Sequence, residues 1–401
     1  MGSSVSRSGS ACLLLVLLAV AAGCASTAPP YVPSPPPPPV ADLDGDGWIV
    51  EDSFYEKEVS YATSRVDRCA RLSPMADGST LQAYERCAED PERLDTGNDK
   101  TNAALAYGTA IVRIPLDKAI GGTKGMSLTS VDHDIPWDTF AAGISDSDVL
   151  VFVHGYNTNF SNAAVRAAQL AHDTNFPGEA LLFSWPSKET WVVGTNYDED
   201  KERASENFTH LADFLQQVAT ATDKKIHVVA HSMGTYLLMN SLAILDKRLE
   251  QDRSLLANRR NGGQREIFAQ IILAAPDIAQ RNYREVFSAH DLGGLAEKIT
   301  LYSAVNDYVL KSSRIINRFV EGTSEARLGD SSKAFVVLEG MDTIDTRKEI
   351  SPQFFGHSFY ANYRSLVADM HLLLNYGAEA DGRMLQKVRD NAGNELWFIR
   401  N

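Results

Sequence analysis

A serine hydroxyl is a poor nucleophile at neutral pH. It needs a histidine to take its proton and, as a rule, a carboxylate to fix that histidine's tautomer. One serine of this chain is placed for that chemistry. In Lys225-Ile-His-Val-Val-Ala-His-Ser-Met-Gly-Thr235 an apolar, β-branched run stops at Ser232, and an apolar helical pattern starts at once. That order predicts a tight strand-to-helix turn holding the Ser232 Oγ out at the end of a sheet. Ala230 and Gly234 lie two residues to either side, where the strand and helix backbones must nearly touch. Glycine is usual at both positions, so the Ala230 methyl is a departure that the turn has to accommodate.

The partners are expected downstream, in the order serine, acid, histidine. Only His290, His357 and His371 follow Ser232. His371 falls in the helical pattern of Ser365 to Tyr376, and His290 precedes the last two strands, too early for that order. His357, in Phe355-Gly-His-Ser-Phe359 after the last strand, is the candidate general base. Two aspartates compete to orient it. Asp307, closing Leu301-Tyr-Ser-Ala-Val-Asn-Asp307, is the first choice. Asp277, closing Leu273-Ala-Ala-Pro-Asp277, is the alternative acid; with Gln280 three residues on, it also resembles a capping box for the next helix.

Acyl transfer further needs N–H groups aimed at the developing oxyanion. The residue after the nucleophile supplies one, which selects Met233. The loop Val153-His-Gly-Tyr-Asn157 offers Tyr156 N–H as the second. His154 in that loop is either a rival base or a residue that holds the loop's shape.

Other polar clusters carry less. His227 and His231 stand on one strand roughly 13 Å apart at ~3.3 Å per residue, too far to share a zinc ion. Asp42, Asp44 and Asp46 match the opening oxygens of a calcium loop, but Ser53 stands where its bidentate glutamate belongs. An acidic Gly-rich linker is the preferred reading, so no cofactor and no catalytic metal are expected. Asp198-Glu-Asp-Lys-Glu202 reads as a solvated helix start. Trp185 and Trp191 either line an acyl pocket or belong to the core.

The elements that must position these residues alternate. Strand patterns cover residues 59–63, 107–115, 148–153, 180–184, 226–230, 267–274, 298–304 and 335–338, and helical patterns cover about 160–173, 201–220 and 233–247. Asp148-Val-Leu-Val-Phe-Val153 is a continuous apolar run, as a strand buried on both faces requires. The alternation predicts an α/β architecture, a mostly parallel central sheet with helices on both faces. Ligands bind such sheets beyond the carboxyl ends of the strands, where Ser232 lies. Residues 379–401 read as a C-terminal β-hairpin appendage turning at Asn391-Ala-Gly-Asn394.

Taken in order, Tyr61-Ala-Thr, Tyr107-Gly-Thr, Phe152-Val-His-Gly-Tyr-Asn157, Arg166-Ala-Ala-Gln-Leu-Ala-His172, Phe183-Ser-Trp-Pro-Ser187, Ala230-His-Ser-Met-Gly234, Leu273-Ala-Ala-Pro-Asp277 and Gly356-His-Ser358 form one series. The series resembles a bacterial α/β-hydrolase family of unassigned function, serine esterase- or lipase-like and found partly in lipoproteins, over roughly residues 58–378. The resemblance implies an α/β-hydrolase fold and a triad, and names no substrate.

The N-terminus is expected to direct export. Ala11 to Ala22 is an apolar run too short to span a bilayer, and it ends in Ala21-Ala-Gly-Cys24. This resembles a lipoprotein signal peptide over residues 1–24, with Cys24 as the acylated residue; Ala21 stands where leucine is common. Ordinary secretory cleavage just downstream is the rival. Ala25 and Ser26 lack the aspartate associated with inner-membrane retention, so the expected address is the cell envelope, outer membrane rather than inner. Residues 25–57 form a Pro-rich and acidic linker, with eight prolines among the eleven residues from Pro29 to Pro39. Extended as polyproline II, that run reaches ~34 Å at ~3.1 Å per residue. Cys69 and Cys87 remain as an even pair in an exported chain and are expected to form a disulfide.

With 401 residues, 44% hydrophobic and 22% charged, the composition is that of a globular protein. A formal net charge of −14 argues against nucleic acid as a partner. The expected activity is hydrolysis of a small-molecule or lipid ester through an acyl-enzyme, with the membrane engaged through the N-terminal lipid. A non-catalytic envelope scaffold or binding protein on the same fold is the alternative.

Overall fold

The structure, a computed structural model, describes residues 54–69, 87–94, 101–189, 196–256, 266–303, 326–330, 335–338, 340–346, 359–390 and 393–399. Cys24, Asp42, Asp44, Asp46, Trp191, Asp307 and His357 lie outside the described residues.

Eleven strands form one sheet. They are β1 (Phe54–Thr63), β2 (Ala106–Pro115), β3 (Ser127–His133), β4 (Val149–Val153), β5 (Glu179–Ser184), β6 (Ile226–His231), β7 (Phe268–Ala274), β8 (Ala296–Ser303), β9 (Met341–Asp345), β10 (Leu385–Arg389) and β11 (Glu395–Ile399). The order across the sheet is β10-β11-β9-β8-β7-β6-β4-β5-β1-β2-β3. Pairing is parallel from β11 through β1, and antiparallel only at the margins, β10 on one side and β2 and β3 on the other. The mostly parallel α/β sheet expected from the alternation is therefore present.

The helices are α1 (Trp137–Ile144), α2 (Phe160–Asp173), α3 (Tyr197–Glu206), α4 (Phe208–Ala221), α5 (Met233–Gln251), α6 (Gln280–Ala289), α7 (Phe359–Asn362) and α8 (Arg364–Tyr376). They cover both faces, because the central strands are apolar on both. Val149, Val151 and Val153 of β4 join one core with α1, α3, α4 and α5, while Leu150 and Phe152 join the other with α2 and α8. Five alanines on the sheet side of α2, from Ala163 to Ala171, bring that helix close. Its start is set by Asn159, whose side chain accepts the Asn162 N–H at 2.8 Å. Among the described residues no helix is long and apolar enough to cross a membrane.

Three expected elements differ. The helical pattern over 201–220 is two helices, broken at Asn207. That side chain donates to Arg203 C=O at 2.7 Å and accepts the Ser64 hydroxyl, an alternative to continuing the backbone ladder. Residues 335–338 are not a strand. A turn through Gly340, at φ 77°, sends the chain back into β9, and Val336 C=O accepts the Thr343 hydroxyl at 2.6 Å. The C-terminal hairpin is not an appendage, because β11 pairs in parallel with β9 and completes the sheet edge. Cys69 and Cys87 are bonded through sulfur.

Candidate active site

Strand β6 delivers Ser232 at its carboxyl end, and α5 starts on the next residue. The backbone between them turns through φ 54° and ψ −122° at Ser232, a conformation costing of order 1–3 kcal/mol in a non-glycine residue. The surroundings hold it there. Ser232 N–H donates to Ala274 C=O at 3.0 Å, and Ser232 C=O accepts from Thr235 N–H at 3.0 Å and Asp277 N–H at 3.1 Å. A Cβ on Gly234 would collide with the carbonyl oxygens of His154 and Val153, so the helix can start this close to β4 only with glycine. The Ala230 methyl meets no such obstacle: the residue is fully buried in the core of that face.

The loop after β4 lies against the serine. A Cβ on Gly155 would stand 2.9 Å from Ser232 Cβ and 3.2 Å from His231 Nδ1. Tyr156 and Met233, the two expected N–H donors, are the residues that follow Gly155 and Ser232 in the chain. His154 is wholly buried, stacked face to face on Trp185 with centroids 5.1 Å apart and planes at 5°. Its Nδ1 meets Gly155 C=O at 3.0 Å, and its Nε2 accepts the Trp185 backbone N–H at 3.2 Å. Burial, reinforced by the Arg65 cation, pushes its pKa down to about 3. With both ring nitrogens engaged by the backbone, His154 is a support for the loop and not the base. Trp185, with no exposed surface and its indole N–H donated to His154 C=O at 2.9 Å, is core and lines no acyl pocket.

Asp277 sits directly beside this turn but is not the N-cap of the next helix. Helix α6 is preceded by Ala279 at its N-cap, with no side-chain cap bond. The Asp277 carboxylate instead turns inward, accepting the Tyr197 hydroxyl at 2.9 Å and facing Arg327 Nε at 3.2 Å. That clasp replaces the capping box. His290 Nδ1 contacts Asp246 at 3.3 Å, and His371 Nδ1 donates to Thr174 C=O at 2.6 Å, so both are engaged elsewhere. Asp307 follows four residues after Ser303, the last residue of β8. His357 precedes Tyr360 by three residues, and the Tyr360 ring lies 4.7 Å from that of His231, the residue before the nucleophile.

Sequence reasoning missed Asp200 and Arg65. Asp200, within the run expected to be solvated, has no exposed surface. Its carboxylate accepts from Ser187 Oγ at 2.6 Å, Lys188 N–H at 3.1 Å, Asn157 N–H at 3.3 Å and Arg203 at 2.9 Å. Burial raises its pKa, against the pull of those donors. The signal was its spacing: Tyr197, Asp200 and Ala204 share the buried stripe of α3. Arg65, beyond the end of β1, is also buried and donates to Ser184 Oγ at 2.8 Å, Ser187 C=O at 3.2 Å and Thr158 C=O at 2.8 Å. Asp67, His133 and Asp134 cluster closely enough to hold a metal, but the Asp67 carboxylate is already bound by the Arg93 guanidinium and the Cys69 N–H, a donor set that disfavours a cation.

The family model described as an alpha/beta hydrolase of unknown function (DUF900) matches residues 139–375, a narrower span than the expected 58–378. An uncharacterized protein of Nostoc sp. (strain PCC 7120 / SAG 25.82 / UTEX 2576) is 25% identical over 205 residues, covering 43% of this chain and 52% of that protein; the chain spans about half that relative's length. Solved structures that overlay on the chain include a zinc-bound cold-adapted esterase from an Arctic intertidal metagenomic library, at 13% identity, TM-score 0.30, 68% of this chain and 89% of that one. An esterase of Pyrobaculum calidifontis overlays at 10% identity, TM-score 0.30, 76% of this chain and 96% of that one. The residues matched by the family model run from within α1 to the last turn of α8 and contain the Ser232 turn, the His154 loop and Asp277. The chain belongs to this DUF900 family of α/β hydrolases.

Proposed function

We propose that the protein is an exported, lipid-anchored serine hydrolase that cleaves carboxylic esters through an acyl-enzyme on Ser232. The observation that carries this reading is the Ser232 backbone, held at φ 54° at the carboxyl end of β6 with the Gly155 loop packed on its side chain. Maintaining a strained serine there is explained by a need to present its Oγ. His357 takes the Oγ proton as Oγ attacks the ester carbonyl. The N–H groups of Tyr156 and Met233 hold the oxyanion of the tetrahedral intermediate. His357 then returns the proton to the departing alcohol and activates the water that releases the acid. Asp307 orients His357; Asp277, bound by Tyr197 and Arg327, is the alternative acid.

Cys24 carries the lipid, placing the protein in the bacterial cell envelope on the outer membrane, and the linker before β1, which begins at Phe54 within the expected linker of residues 25–57, holds the domain off the bilayer.

Hydrolysis of p-nitrophenyl esters of increasing chain length tests the chemistry. Turnover by the wild type with loss of several orders of magnitude in kcat for His357→Gln supports the base. Comparison of Asp307→Asn with Asp277→Asn decides the acid, since only the orienting group gives a loss of that size. Absence of turnover for every ester counts against the reading. Metabolic labelling with a fatty-acid probe tests the anchor: label on the wild type and none on Cys24→Ala is expected, and label that persists in Cys24→Ala overturns it.

A further inference from the structure

The peptide units from Tyr156 to Thr158 are held from both their donor and their acceptor sides by buried charges. On the donor side, Asn157 N–H reaches the Asp200 carboxylate at 3.3 Å. Thr158 N–H reaches Ser187 Oγ at 3.2 Å, and that hydroxyl donates to the same carboxylate oxygen at 2.6 Å. On the acceptor side, Thr158 C=O takes the Arg65 guanidinium at 2.8 Å, and Arg65 also grips Ser187 C=O at 3.2 Å. Asn157 sits between them at φ 55°, a left-handed conformation that asparagine tolerates better than most non-glycine residues. Both charges are nearly sealed from water, Asp200 at 0% exposure and Arg65 at 2%. Burying a carboxylate is costly unless donors converge on it, and here the convergent donors come chiefly from the two loops that follow β4 and β5.

We propose that Asp200, relayed by Ser187, and Arg65 are positioning residues: by fixing the peptide units that follow Tyr156 they hold the adjoining Gly155–Tyr156 unit, and hence the Tyr156 N–H, toward the oxyanion of the Ser232 reaction. The proposal rests on the assignment of Tyr156 N–H as an oxyanion donor. Neither residue touches substrate. Each acts by orienting a donor that must stand about 2.7–3.1 Å from the developing charge, where a misplacement near 1 Å costs about 100-fold.

The test compares matched oxygen esters and thionoesters. Sulfur is a longer, weaker acceptor, so an aligned oxyanion site favours the oxygen ester, and a misaligned site loses that preference. In Asp200→Asn the amide presents donors to donors. Its kcat on the oxygen ester is expected to fall about 10- to 100-fold with KM within about 3-fold, and the oxygen-to-thiono ratio to fall at least about 10-fold. Ser187→Ala, which removes only the relay, is expected to fall in the same direction by less, and it carries the test if Asp200→Asn does not fold. Folded variants that keep wild-type kcat and ratio overturn the proposal, as does an equal loss on both substrates, which marks a general structural role. Wild-type protein inactive on all esters overturns the hydrolase assignment and this proposal together. Active wild type with unchanged variants overturns the proposal alone.

Discussion

At the level of single residues, two glycines do what no other residue can. Gly155 lets a loop touch the Ser232 side chain, and Gly234 lets α5 begin against the carbonyls of β4. Gly234→Ala inserts a methyl with backbone on its far side and nowhere to go. Its stability to urea is expected to fall by about 1–3 kcal/mol or more, the scale of overpacking a rigid core. A wild-type midpoint would show that the helix can shift. His227 makes a different demand. It is buried against Phe176, neither ring nitrogen has a hydrogen-bond partner, and burial lowers its pKa to about 4. The unfolded chain, with histidine near 6.5, binds the proton first as pH falls. Stability from this group is thus complete above about pH 6.5 and declines through pH 4, by about 3 kcal/mol. Buried His154 adds a decline of the same sign reaching to about pH 3. Urea titrations between pH 7 and 4 should show a shallower acid decline for His227→Leu than for the wild type; parallel declines would remove His227 as a cause.

At the level of elements, most of the frame was legible because it is written in apolar runs. β4 is buried on both faces and spells a continuous hydrophobic string, and β6 and β7 do so but for buried His227 and Gln270. β9 was missed because Met-Asp-Thr-Ile-Asp has buried Thr343 and Asp345 in it, and polar residues inside a sheet leave no hydrophobic signature. The α3–α4 break was missed because a single asparagine, paired with distant Ser64, outweighs local periodicity. The Ser232 turn was legible from its small flanking residues, whereas the Asp200–Arg65 clasp joins positions 135 apart in the chain and only the fold brings them together. Asp277 was legible as a candidate but not as the partner of Tyr197 and Arg327, for the same reason. The Cys69–Cys87 bridge ties down the segment carrying the buried Asp67–Arg93 pair, across a separation of 18 residues. Reduction, or Cys87→Ser, should cost about 3 kcal/mol in the chain-entropy model. Equal denaturation midpoints with and without reductant would contradict it.

Across the whole molecule, the sheet sets one working edge. Every parallel strand from β1 to β11 ends on the side where Ser232, the Gly155 loop and the Asp277 clasp meet, with β8 and β9 leading toward Asp307 and His357 in the chain. A formal net charge of −14 means that the protein itself should not be drawn to an anionic bilayer. Cys24→Ala is therefore expected to stay off anionic vesicles in flotation even at low salt, while the wild type remains bound at 0.5 M salt, where the Debye length is only about 4 Å. Salt-sensitive binding of Cys24→Ala would point to an electrostatic contact instead of a lipid. The decisive measurement is the intact mass of the folded protein after exposure to a fluorophosphonate. One adduct per chain, located to the peptide containing Ser232 and absent from a folded Ser232→Ala variant, is the expected result. Folded wild-type protein that takes up no adduct, or an adduct that survives in Ser232→Ala, would contradict a nucleophilic Ser232.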